Sequence, residues 1–377
     1  MNGVERSIFW VTALALMLWP WDAVVAQDRM FVTSERLTLG TERLRSASVR
    51  LGDIDSDGDL DVVVANGRHW PQQNELLINQ GKAKFSIIRP LGGDQRTTYA
   101  CELADLDGDG DLDIATGNDM AQGEVFLNDG SGNFAVHGEY GEVSSLRSLL
   151  TVDLDQDGDV DLIATCRGRP NRIYLNDGAA NFTSGPTFGT DRDSTIDVAA
   201  GDLNGDGYLD LVLANRDRQP NEVLLGDSKL KFTQSVPFGS GDDHSRAVAI
   251  ADLNGDGKLD WVVANIGRAN QIFLGDGAGG MVSDAEFGSA SGQTYALSIA
   301  DMNNDGDLDI VVGNLNEPGS VFLRRGTELT FDEVPFGKAS ATYGLDVGDL
   351  DGDGFADIVV SNSDDVNRIF LNRASKK

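Results

Sequence analysis

Nine residues from Asp105 to Asp113, reading DLDGDGDLD, constrain this chain more than any other stretch. Asp105, Asp107, Asp109 and Asp113 occupy positions 1, 3, 5 and 9, and Gly110 stands at position 6, where the chain must turn sharply. This is the chemistry of a hard cation. Calcium takes six to eight oxygens at roughly 2.3–2.6 Å, and closely spaced Asp side chains with one backbone carbonyl supply them from a single loop. The pattern starts again at Asp53, Asp153, Asp202, Asp252, Asp301 and Asp349, with first aspartates 48 to 52 residues apart. A period of that length marks a repeat architecture, in which each unit buries its core against the next.

Differences between the seven copies assign the ligands. Position 1 is Asp throughout (Asp53, Asp105, Asp153, Asp202, Asp252, Asp301, Asp349), as are position 5 (Asp57, Asp109, Asp157, Asp206, Asp256, Asp305, Asp353) and position 9 (Asp61, Asp113, Asp161, Asp210, Asp260, Asp309, Asp357). Position 3 is Asp55, Asp107, Asp155 or Asp351 in four copies and Asn204, Asn254 or Asn303 in three, and either side chain offers an oxygen. Position 7 varies from Asp111 to Tyr208, Lys258 and Phe355, as expected where only the backbone carbonyl faces the metal. The sequence thus predicts up to seven Ca2+ ions. A bare Asp/Gly turn would form without metal, but four or five carboxylates within nine residues repel one another unless a cation neutralises them. An EF-hand is excluded: it needs Glu at position 12, and here that position is Val64, Thr116, Ala164, Leu213, Val263, Val312 and Val360.

Each unit reads as four short strands. The first precedes the loop, as in Thr195 to Asp202, with small residues that allow close packing around an axis; the second follows it, as in DLVLAN from Asp210 or DWVVAN from Asp260. A third (NRIYLN from Asn171) and a fourth (Phe182 to Gly189) complete the unit. Runs of β-branched and aromatic residues bounded by Gly, Asn, Asp and Pro are strand signals. The fold class expected is all-β, a seven-bladed propeller of four-stranded blades. The last unit ends after its third strand, and Phe31 to Gly40 resembles the fourth-strand segments, so the N-terminal strand is expected to complete the last blade and close the ring.

Residues 1–26 read as a signal peptide: Arg6, an apolar run from Ile8 to Trp19, then Val24-Val25-Ala26 before Gln27. The run is too short for a membrane span, and no second one follows, so residues 27–377 are expected to form one propeller domain, secreted, periplasmic or at the cell surface. Of 61 acidic residues 29 lie in the nonamers, so most of the net charge of −31 is metal chemistry. Nucleic acid is not expected as a partner, since the field of so acidic a chain repels phosphate. Cys101 and Cys166, in neighbouring units at the middle of one strand and the end of another, are expected as two buried thiols rather than a disulfide.

The chain resembles the FG-GAP/VCBS repeat proteins, related to the propeller of integrin α subunits. The likeness rests on the seven loops and on Phe188-Gly189, Phe238-Gly239, Phe287-Gly288 and Phe336-Gly337. Where integrin-type repeats carry Gly-Ala-Pro, this chain has Ala-Asn pairs such as Ala65-Asn66 and Ala214-Asn215. That places it nearer the bacterial VCBS branch, and integrin ligand specificity does not carry over.

In a propeller the calcium loops occupy one face, and the turns after the second strands share the other. That other face is predicted to be basic: Arg68, His69, Trp70, Arg167, Arg169, Arg216, Arg218 and Arg268 in the turns, with Arg147, Arg246, Tyr99, Tyr295 and Tyr343 at the starts of the first strands. The last five are the candidate ligand residues. The pattern suits a non-catalytic recognition or adhesion module for a glycan or extracellular protein. The alternative is a calcium-dependent polysaccharide lyase on the same face, with one of the tyrosines as acid or base and His244 as its partner. No catalytic motif supports that alternative: three scattered histidines make neither a zinc site nor a triad, and no nucleophile elbow or phosphate loop is present.

Overall fold

The computed structural model describes residues 29–326 and 329–375; the expected signal segment lies outside them. Every regular element among the described residues is a β-strand. No helix there is long and apolar enough to cross a membrane. Five four-stranded antiparallel sheets follow one another along the chain, each in simple meander order. The third is typical: Leu146–Val152, Asp161–Cys166, Asn171–Asn176 and Phe182–Phe188. The sixth and seventh repeats share one sheet, because Asp309–Arg324 and Phe331–Gly348 run without interruption through places where other repeats turn. Arg29–Val32 pairs antiparallel with the last strand, Asn367–Ala374, setting Phe31 opposite Asn372; Thr38–Leu39 pairs with its other end. The N-terminal segment therefore lies where the sequence places it, broken in two and starting at Arg29.

The second strand of every repeat is buried along its whole length, as in Asp61–Asn66 and Asp260–Asn265. Its alternate residues serve two different cores. Val62 and Val64 pack with Leu350, Val359 and Ile369 of the seventh repeat, whereas Val63 and Ala65 pack with Cys101, Ile114 and Phe126 of the second. Period-two alternation is what allows one strand to face two neighbours. The buried residues form seven clusters, each spanning two repeats. The Phe-Gly pairs belong to this packing: Phe238, Phe287 and Phe336 set their rings edge-on against Phe273, Phe322 and Phe370 of the next repeat, at 4.9, 5.0 and 4.9 Å.

Two polar contacts recur between successive repeats. The Asn that ends a third strand donates Nδ2–H to the position-2 carbonyl of the preceding loop: Asn128 to Ile54, Asn176 to Leu106 and Asn372 to Met302. Asn79 of the first repeat makes the same bond to Leu350 of the seventh, at 2.9 Å. Likewise, the Asn that begins a third strand donates to the hydroxyl that begins the next repeat, Asn74 to Thr98 and Asn171 to Thr195, and Asn367 of the seventh repeat donates to Ser46 of the first.

Candidate functional site: loop face and arginine mouth

At one end of each first strand stands the aspartate loop. The position-1 carboxylate accepts the amide of the position-6 glycine in all seven copies, at 2.8–3.2 Å. That glycine has φ between +83° and +98° throughout, which explains its invariance. Carboxylate oxygens converge to within 4.8 Å in four loops: Asp53, Asp55 and Asp57; Asp105, Asp107 and Asp113; Asp153, Asp155 and Asp161; Asp349, Asp351 and Asp353. Asp55, Asp153 and Asp351 each keep a buried Oδ1 without a hydrogen-bond partner. Orphaned anionic oxygens turned into an oxygen-rich loop fit a hard cation. In the seventh loop the Arg373 guanidinium pairs with both Asp351 and Asp353, so that loop carries a cation of its own.

Position 9 does more than the sequence reading assigned to it. In all seven loops this Asp is fully enclosed, and its two oxygens accept two backbone amides. In the fifth repeat Asp260 accepts Leu253 N–H at 3.0 Å and Gly275 N–H at 2.9 Å, pinning the loop to the end of the third strand. Burial pushes Asp61, Asp309 and Asp357 up to about 7, and Asp113 and Asp161 up to about 6, against the pull of those amide donors.

At the other end of the first strands, roughly 20 Å away at ~3.3 Å per residue, every repeat has a β-bulge at the same place. The strand pairing skips Ala47, Tyr99, Arg147, Ile196, Arg246, Tyr295 and Tyr343. A bulged residue leaves the ladder and its side chain is re-aimed. Six of the seven line one basin of about 240 Å³, closed above by Arg68, His69, Arg167 and Arg216 from the turns. All five residues singled out as ligand candidates thus meet in one place. His244 is not among the lining residues; His69 takes the place expected of it, with Nδ1 2.8 Å from the Tyr99 hydroxyl.

The cations are stacked on the rings: Arg68 lies 3.9 Å over Tyr343, Arg147 4.6 Å over Tyr99 and Arg246 5.4 Å over Tyr295. Arg147 is also paired with Asp119 at 3.1 Å, and Arg167 with Asp217 at 2.7 Å. Among the described residues Arg216 and Arg246 form no ion pair, and the Nε atoms of Arg68, Arg216 and Arg246 are buried without a hydrogen-bond partner. Burial pushes the Arg246 guanidinium down from its ordinary value; Asp197 opposes this and Arg216 adds to it. Burial likewise raises the Tyr99 phenol and lowers the His69 imidazole, the latter helped by Arg68 and Arg147.

A second cavity, which shares Tyr99, Arg147 and Arg246 with the basin, holds charges that are not among the candidates read from the sequence. Arg50 binds Glu102 through two hydrogen bonds of 2.8 and 2.7 Å. Asp346 accepts Leu51 N–H at 3.0 Å and Asp197 accepts Val248 N–H at 3.1 Å, each satisfying the open edge of the next first strand. Charged residues at positions otherwise filled by Ala, Ser or Leu were the available signal.

Two similar solved structures are those of BBS1N in complex with ARL6DN, one soaked with mercury and one with lead. They superpose with TM-scores of 0.64 and 0.60 at 11% and 12% identity, covering 92% of this chain and 98% and 99% of theirs. At that identity the likeness concerns the fold alone. No curated protein matches the chain. The FG-GAP-like repeat family matches in six overlapping stretches, 53–116, 105–164, 153–213, 202–263, 252–312 and 301–360. Each stretch runs from one aspartate loop into the second strand of the following repeat, so the matched unit is the loop and the contact between neighbours, and the chain belongs to the FG-GAP-like repeat family.

Proposed function

We propose that this chain is an exported, calcium-stabilised propeller of seven blades that recognises an anionic glycan or protein through its arginine and tyrosine mouth. The observation that carries the reading is the bulge: six of the seven bulged residues line one basin, and five of those are Arg or Tyr. Calcium in the loops on the opposite face would be held by the position 1, 3, 5 and 9 side chains, neutralising carboxylates and stiffening each blade. Seven blades in a closed ring are supported by the bonds from Asn79 to Leu350 and from Asn367 to Ser46, which repeat between first and last units the contacts made between neighbours. The similar BBS1N structures contain a protein partner, which is in keeping with a recognition role.

The test is a binding screen of acidic glycans and acidic peptides against the mature protein and an Arg68→Gln/Arg246→Gln variant. Binding is expected in the parent, is expected to fade with added salt, and is expected to be lost in the variant. Absence of any anionic ligand, or binding indifferent to both arginines, would refute the reading. A lyase has one observation in its favour, the Tyr99 to His69 contact. Against it, burial makes the Tyr99 phenol hold its proton more tightly, so the tyrosine itself is a poor base. Depletion of acidic polysaccharide with appearance of unsaturated ends would decide for the enzyme.

A further inference from the structure

The arginines of the mouth are not equivalent. Arg147 and Arg167 have carboxylates, Asp119 and Asp217, and Arg68 donates to Ser363 Oγ at 3.1 Å. Among the described residues Arg216 and Arg246 have neither, and a buried guanidinium Nε–H without an acceptor, which Arg68 shares, is a costly arrangement. Two unpartnered cations facing one small basin call for an acceptor from outside, and a carboxylate or sulfate matches the fork geometry of arginine.

Three further observations narrow the ligand. The basin, at about 240 Å³, is concave and lined by three tyrosine rings, two of which, Tyr295 and Tyr343, meet edge-on at 5.0 Å. Such a site takes a small ring-sized unit rather than the broad area of roughly 800 Å² that a protein partner covers. Next, His69 has φ +71°, and the turn that bends there carries Trp70 outward, 63% exposed, immediately beyond two lining residues. An exposed Trp at the rim is a ready stacking platform. Finally, this face carries carboxylates of its own beside the mouth, Asp119 and Asp217 against lining arginines and Asp364 against Arg45. A wide acidic protein surface laid on it would meet like charge around the mouth, whereas a narrow chain meets mainly the arginines.

We propose that the mouth is a subsite for the acidic unit of an anionic oligosaccharide, its carboxylate or sulfate held between Arg216 and Arg246 and the adjoining sugar ring laid on Trp70. This rests on the recognition reading above and names its ligand class.

Calorimetric titration of the full mature protein in calcium buffer tests it with tetrasaccharides of alginate, pectate and chondroitin sulfate, a carboxyl-reduced pectate tetrasaccharide, galacturonate monosaccharide and tetraglutamate. At least one acidic tetrasaccharide is expected to bind, and the carboxyl-reduced chain is expected not to. Arg216→Gln and Arg246→Gln should each weaken binding about tenfold or more, as loss of a charged hydrogen bond does. Trp70→Ala should weaken the tetrasaccharide while leaving galacturonate unchanged. If tetraglutamate binds through these arginines and no sugar does, the sugar assignment falls and the recognition reading stands. If no anion binds, both fall. Tetrasaccharide binding that survives Trp70→Ala removes the outer platform from the proposal.

Discussion

Position 9 of the aspartate loop has two claims on it, and Asp260→Ala separates them. As a metal ligand, Asp260 matters only when calcium is bound. As a pin, it matters always, because its oxygens accept the buried amides of Leu253 and Gly275 at 3.0 and 2.9 Å. Alanine leaves both donors unpaired, and each costs about 1–3 kcal/mol. The total is about 2–6 kcal/mol, toward the lower end because burial of the Asp260 carboxylate, with Asp256 and Asp252 close by, already disfavours its charged form. At roughly 2.1 cal/mol/K of unfolding entropy per residue, a cooperative unit of this length should melt about 3–8 °C lower.

The control is Asp256→Ala in the same loop. Its carboxylate is exposed and, among the described residues, accepts only the Lys258 amide, at 3.0 Å, a bond that water can replace. In chelator this change should stay within about 0.5 kcal/mol of the parent. With calcium both variants should lose the metal's stabilisation at that site. Thermal melts of the three proteins, each with chelator and with millimolar calcium, make the comparison. Equal melting of both variants in chelator would show that position 9 is invariant for metal alone and that its two amide bonds carry no stability.

Chelation of the parent should lower its melting temperature, because a ligand that binds only the folded state stabilises it by mass action; an unchanged melt would contradict calcium in the loops. A chain beginning at Thr41 loses the Arg29 bond to Asn372 Oδ1 (2.7 Å) and the buried Phe31 and Leu39, exposing the edge of the last strand. It should aggregate or unfold without cooperativity, and parent-like melting would sink the ring-closure argument. Cys101 and Cys166 are both buried and unpaired, and burial raises the Cys101 thiol to about 12. A thiol reagent should label neither in the native protein and both in denaturant; one label appearing natively would mean that a blade opens locally.

The repeats, the strands and the loop face were legible because their signals are local. An Asp-rich nonamer, a six-residue apolar strand and a Gly at positive φ each leave a mark within a few residues. Even so, locality misled at position 9. From sequence its invariance reads as coordination, whereas the enclosed carboxylate of Asp61 or Asp357 also ties two amides fifteen or more residues apart in the chain. His244 shows the opposite error. It looked like a partner for the tyrosines because it begins a first strand, yet the residue that reaches Tyr99 is His69, thirty positions away, carried there by a turn bent at positive φ.

The bulge was beyond reach for a further reason. Skipping Tyr99 or Arg246 is a property of two paired strands, and nothing within TYACELA or SRAVAIA marks which residue will be left out of the ladder. Once the register is known, the variety at that position becomes intelligible. The residue before the bulge carries a Ser/Thr to Asn bond in most repeats, such as Thr98 to Asn118 at 2.9 Å, and the second residue after it, Cys101 or Val248, packs in the core. The bulged residue is relieved of both duties, so Ala, Tyr, Arg and Ile can succeed one another there without disturbing a blade. A core repeated seven times leaves the bulged side chain of each repeat free to differ, and six of the seven line the same basin.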